Sequence, residues 1–198
     1  MTFEQLIPVA FFVIAMVGTP GPNNLMLMTA GANFGFRRSL PHILGITAGC
    51  QVLLVAIALG LGQLFSTYPV TINVLRLLGS LFLVYMAVQL VHPREADIAA
   101  GSNAKPMSFL QAALFQWINP KAWLMLITGL ATYANPQQML VSTLLIAVCF
   151  AVVGLPLTCL WNVGGVALKH WLQVGRRLVA FNRVMAVLLL ASLVPLLL

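Results

Sequence analysis

Thr19-Pro20-Gly21-Pro22-Asn23-Asn24 interrupts what would otherwise be one apolar helix. Before it, Leu6 to Val17 is almost wholly aliphatic and aromatic; after it comes Leu25-Met26-Leu27-Met28. Two prolines and a glycine within three positions remove backbone donors and destroy helix geometry. A membrane helix broken at mid-depth leaves polar backbone in hydrocarbon, which is tolerated only where it is packed in protein or lines a wet cavity. The break is therefore a functional signal.

The membrane reading follows from composition. Of 198 residues, 61% are hydrophobic and 7% charged, with a mean hydropathy of +1.01; a soluble domain carries roughly a quarter charged residues. Met1-Thr2-Phe3-Glu4-Gln5 lacks a basic segment and no small-residue cleavage site follows, so no removable signal peptide is expected. A span needs about 20 mainly apolar residues. That measure gives six, at about 5–34, 39–65, 69–91, 108–134, 138–163 and 178–197. The first and fourth are over-long because each contains a break.

Basic residues set the expected orientation. The loops after spans one, three and five hold Arg37, Arg38, Arg94, Lys105, Lys169, Arg176 and Arg177; those after spans two and four hold none. Both termini are expected outside the cytoplasm. The net charge of +7 is thus a topology signal, and nucleic acid is not an expected partner. Cys50, Cys149 and Cys159 lie in apolar segments with no CxxC pair, and read as small packing residues. No metal site or cofactor is expected.

Sliding the 198-residue chain on itself by half its length, 99 residues, lays Leu25-Met26-Leu27-Met28-Thr29 over Leu124-Met125-Leu126-Ile127-Thr128. In the same register Pro20-Gly21-Pro22 meets Asn119-Pro120-Lys121. Because both breaks coincide, the expected plan is a first three-helix repeat over 1–92, a cytoplasmic linker over 93–107 and a second repeat over 108–198. Three spans per repeat invert the second repeat relative to the first, the plan of secondary transporters whose sites form at discontinuous helices.

After Pro22 and after Pro120 a half-helix restarts with free N–H groups, the positive end of its dipole suited to a carboxylate. Lys121 adds a full charge; an ammonium at mid-membrane costs about 2.5–3.5 kcal/mol on insertion scales and marks a functional candidate. Snorkelling, or bonding to loop carbonyls, is its alternative role. Asn23, Asn24 and Asn119 offer amides to a zwitterion, or simply cap helices. The candidate substrate site is therefore Pro20, Gly21, Pro22, Asn23, Asn24, Asn119, Pro120 and Lys121. The three acids, Glu4, Glu95 and Asp97, all lie outside the span interiors, which disfavours a cation carrier and a carboxylate proton relay. Lys121 and His42 remain as proton carriers, with His42, His92 and His170 placed at membrane ends. Gly45, Gly49 and Gly79 are expected to permit close helix approach, and Pro156 with Gly154 to kink span five.

Thr19-Pro20-Gly21-Pro22-Asn23-Asn24, Gly35-Phe36-Arg37-Arg38, Gly45 and Phe109…Gln116-Trp117-Ile118-Asn119-Pro120-Lys121 together resemble the LysE/RhtB family of bacterial amino-acid exporters. Ala104-Lys105-Pro106-Met107-Ser108-Phe109 and Phe115-Gln116-Trp117 look somewhat like its cysteine and O-acetylserine branch. The resemblance implies efflux of small neutral amino acids or related metabolites across the bacterial inner membrane, driven by the proton gradient, and no enzyme activity. Ser80-Leu81-Phe82 after Gly79, and Ala112 and Gln116 before Asn119, depart from the pattern of many members and leave the substrate open. A homodimer is the expected assembly. A membrane thiol-electron carrier and a non-transporting membrane subunit are the alternatives.

Overall fold

Proline and glycine decide where the helices stop. The computed structural model describes residues 3–63, 67, 68, 70–91, 105–172, 174 and 176–194, with side chains from residue 6 onward. Phe65, His92, Arg94, Glu95, Asp97, the side chain of Glu4 and most of the expected linker lie outside the described residues. Helix α1 (Phe3–Gly18) ends just before the first break, and α2 (Pro22–Phe34) restarts with Pro22 as its first residue. A first-position proline fits there because its missing N–H would have had no helical partner. Between them Gly21 is fully extended, and the two helices are bent by 62°.

Gly35, at φ 84°, turns α2 into α3 (Phe36–Ala56), which runs on through a π turn at Ile57–Leu61. The left-handed φ is one that glycine adopts without strain. Helix α4 covers Val70–Val91. Helix α5 (Phe109–Ile118) opens with a capping box: the Gln111 N–H donates to Ser108 Oγ, and the Ser108 N–H to Gln111 Oε1. Asn119 then leaves helical geometry (φ −89°, ψ 103°), and α6 (Pro120–Tyr133) restarts, again with a first-position proline.

Helix α7 (Met139–Cys149) passes through a π turn at Phe150–Gly154 into α8 (Leu155–Leu172), and α9 covers Arg177–Ala191. Near Gly154 and Pro156, where a kink is expected, the helix widens into this π turn, which relaxes the ladder just before a residue lacking an N–H.

Among the described residues, Phe36–Leu61, Val70–Val91 and Pro136–Leu172 are each long and apolar enough to cross a membrane, and the bent pair Leu6–Gly18 and Pro22–Phe34 together make a fourth such span. The outward side of α4 shows Val74, Leu77, Leu81, Val84 and Val88 exposed, as lipid allows and water does not.

Where lipid is as apolar as the core, helices associate through close backbone approach. A Cβ on Gly31 of α2 would collide with the Asn162 carbonyl oxygen of α8, and one on Gly165 with the Met28 carbonyl oxygen. Asn162 reinforces this seam by donating from Nδ2 to the Leu27 carbonyl at 2.8 Å. Gly45 and Gly49 bring α3 onto α5 in the same way, Gly49 lying so close that a Cβ would stand 2.6 Å from the Ala113 carbonyl oxygen. Gly79 seats α4 on the second break, against the Ile118 carbonyl and Pro120. Two buried apolar clusters fill the remaining space. One joins Val9, Val13, Ile43, Leu53, Leu126 and Ile146; the other joins Met26, Leu83, Phe115, Met185 and Leu189.

Candidate functional site

The first break leaves the last carbonyls of α1 without helical donors. Asn24, buried in the first turn of α2, reaches back to them: its Nδ2 donates to the carbonyls of Val17 at 2.7 Å and Thr19 at 2.8 Å. It therefore closes the end of α1 rather than capping the start of α2. Asn23 does neither, and its amide pairs across the molecule with Gln116 of α5.

At the second break Asn119 Oδ1 accepts from the Lys121 N–H at 3.2 Å, the local cap its residue type favours. The Lys121 side chain leaves its own helix and crosses to the first break. Its Nζ donates to the Thr19 carbonyl at 2.9 Å, to Thr19 Oγ1 at 2.9 Å and to the Pro20 carbonyl at 3.2 Å. The positive ammonium thus sits at the negative end of the α1 dipole. Gly21 makes the crossing possible: a Cβ there would lie 2.8 Å from Lys121 Cδ and 2.9 Å from Nζ.

Both breaks open onto one cavity of about 60 Å³. At ~10–15 Å³ for one water, it holds a few waters, so a larger ligand requires the helices to separate. Gly21, Asn23, Asn24, Asn119 and Lys121 line it. Of the other expected site residues, Pro20 contributes its carbonyl to Lys121, Pro22 is buried as the first residue of α2, and Pro120 packs on Gly79. The proline rings set backbone geometry and do not face the cavity.

The sequence reading missed part of the wall. Thr47, Cys50 and Gln51 of α3 and Thr158 of α8 also face the cavity. Gln116, fully buried, braces it: Nε2 donates to the Ala112 carbonyl at 2.9 Å, and Oε1 accepts from Cys50 Sγ at 3.7 Å. An amide inside an otherwise apolar helix was the available signal for Gln116. Trp123 Nε1 donates to the Trp117 carbonyl at 2.9 Å, so the two indoles that flank the second break brace its backbone, edge to face. His42, expected at a membrane end, is buried within the protein. It is 2% exposed, and among the described residues neither ring nitrogen has a hydrogen-bond partner.

An apolar helical bundle in which two interrupted helices meet at one cavity, largely apolar with a few amides, hydroxyls and one ammonium on its wall, fits an integral membrane protein of the transporter type. The family of LysE type translocators matches residues 14–197, and the chain belongs to that family. It is 29% identical over 175 residues to the cysteine/O-acetylserine efflux protein of Escherichia coli O139:H28, covering 87% of each chain. It is also 29% identical to the proteins of that name from Escherichia coli K12 and Shigella flexneri, covering 86% of each chain. No solved structure matches.

Proposed function

We propose that the chain is a secondary transporter that exports small neutral amino acids or related metabolites from the cytoplasm across the bacterial inner membrane, driven by the proton gradient. The observation that carries this reading is the meeting of the two helix breaks at one cavity, with Lys121 of the second bonded to Thr19 and Pro20 of the first. Discontinuous helices facing a shared cavity are how such transporters expose binding groups at the midplane. The efflux proteins to which the chain is similar support an amino-acid cargo.

In this reading six spans form two inverted three-helix repeats, 1–92 and 108–198, joined by a cytoplasmic linker, with both termini outside. The substrate carboxylate sits between the half-helix ends and Lys121. One repeat moves against the other to alternate access, within a homodimer. A thiol-electron carrier fits less well, because Cys50 is the single cysteine on the cavity wall and a dithiol couple needs two.

The test is a metabolite screen: the chain is overexpressed in bacteria and amino acids are measured in the medium. Accumulation of one or more neutral amino acids, abolished by Lys121→Ala in protein that still inserts, is the expected result. No change in any amino acid would overturn the assignment.

A further inference from the structure

Three acceptor oxygens converge on one ammonium: the Thr19 carbonyl, Thr19 Oγ1 and the Pro20 carbonyl, at 2.9, 2.9 and 3.2 Å from Lys121 Nζ. A primary ammonium has three N–H donors, so this cup matches its full hydrogen-bonding capacity. The backbone ladder skips both carbonyls, the first bond of α2 running from the Leu25 N–H to the Gly21 carbonyl beyond them; the Thr19 carbonyl, with two lone pairs, accepts from Asn24 Nδ2 as well as from Lys121. No carboxylate side chain occurs among the described residues, the three acids of the chain being Glu4, Glu95 and Asp97. Among the described residues the Lys121 charge is therefore met by dipoles alone. Thr19 and Pro20 are exposed, and Lys121 lies on the cavity wall, so the cup is reachable once the lysine moves.

We propose that this cup is a subsite for the primary ammonium group of the transported ligand, and that Lys121 is its resident occupant in the ligand-free state. A zwitterion entering the cavity offers the first full negative charge to Lys121. The lysine leaves the carbonyls for the ligand carboxylate, and the ligand's own ammonium takes the three acceptors left behind. Exchange of one ammonium for another keeps the carbonyls satisfied and adds an ion pair in a low-dielectric site. The ligand must then carry both a carboxylate and an unsubstituted amine; N-acylated and quaternary amines are refused. This assignment rests on the amino-acid reading above and names which atoms hold the amine.

The test needs no transport. In purified Lys121→Ala protein the cup is vacant, and anything that binds it raises the melting temperature by mass action. Methylammonium chloride is expected to raise the Tm of Lys121→Ala by a few degrees in a saturable manner. Tetramethylammonium chloride at equal concentration is expected to have no such effect, and the wild type, whose cup is filled, is expected to respond to neither. Thr19→Val added to Lys121→Ala should weaken the methylammonium response severalfold. If Lys121→Ala does not fold, Lys121→Met, which keeps an aliphatic stem over Gly21, is measured the same way. A variant that ignores methylammonium, or responds equally to tetramethylammonium, would overturn the subsite. The metabolite screen reports on export whichever way this comes out.

Discussion

Asn23 and Gln116 exchange two hydrogen bonds across the site: Asn23 Nδ2 donates to Gln116 Oε1 at 2.8 Å, and Gln116 Nε2 donates to Asn23 Oδ1 at 3.2 Å. One residue opens α2 and the other closes α5, so the pair ties the segment after the first break to the segment before the second. Removing either partner leaves the other amide short of bonds beside apolar walls, a loss of about 1–3 kcal/mol. Asn23→Ala and Gln116→Ala are each expected to lower the Tm. Because they break the same contact, the double variant should lose less than the sum of the two. Thermal unfolding of the four proteins in detergent measures the coupling, and strict additivity would show that the amides act independently.

Lys121 is expected to be intolerant of arginine as well as of alanine. Its compact ammonium points three donors at Thr19 and Pro20, whereas a guanidinium spreads its donors over a planar fork that cannot converge on one cup. Hydrogen bonds to a charged group contribute about 1.5–3 kcal/mol, so Lys121→Arg should reduce export at least about tenfold, with normal membrane insertion. Export assays on cells with matched protein levels check this; wild-type rates in Lys121→Arg would mean that charge alone suffices.

Much of this arrangement was legible in the sequence, and the remainder shows where local reasoning stops. Pro20, Pro22 and Pro120 act on their own backbone, so the break positions could be read directly. The small residues Gly45, Gly49 and Gly79 also announce close contacts. Which backbone each glycine meets was not legible, and neither were the Asn23–Gln116 pair and the Lys121–Thr19 contact, which join residues 93 and 102 positions apart. The sequence leaves Lys121 either beside its own helix end or bonded to loop carbonyls; it bonds the carbonyls of Thr19 and Pro20, and sequence proximity gives no hint that Gly21 clears a path to that other break. Position along the span puts His42 at a membrane end but says nothing of what covers it. It lies one turn before Gly45 and two before Gly49, on the stripe of α3 that packs on α5, and helix–helix contact, not depth, decides its burial.

Gly164 and Gly165 make a paired test of the α2–α8 seam. They are neighbours in sequence, but a Cβ on Gly165 would strike the Met28 carbonyl, whereas one on Gly164 meets nothing within 4 Å. Gly165→Ala is expected to destabilise by about 1–3 kcal/mol, the ordinary penalty of overpacking. Gly164→Ala should be neutral or stabilising by up to about 1 kcal/mol, since alanine loses less backbone entropy in a helix. Unfolding in denaturant of the two variants side by side measures the difference, and equal behaviour would mean that the helices separate easily at this seam.

His42 supplies the remaining prediction. It is buried and among the described residues neither Nδ1 nor Nε2 has a partner, so a neutral imidazole there carries an unmet donor and an unmet acceptor at about 1–3 kcal/mol each. Replacing it with an apolar residue of similar bulk removes that penalty and strands no partner. His42→Leu is therefore expected to raise the Tm. A side chain kept at a cost to stability points to a role in function, and a ring nitrogen free to take a proton is what a proton-driven exporter needs at a buried position. The expected combination is a more heat-stable protein whose export is low and no longer responds to a protonophore, while wild-type export falls when the gradient is collapsed. Export by His42→Leu that still falls on collapse of the gradient would assign proton coupling elsewhere, with Lys121 next in line.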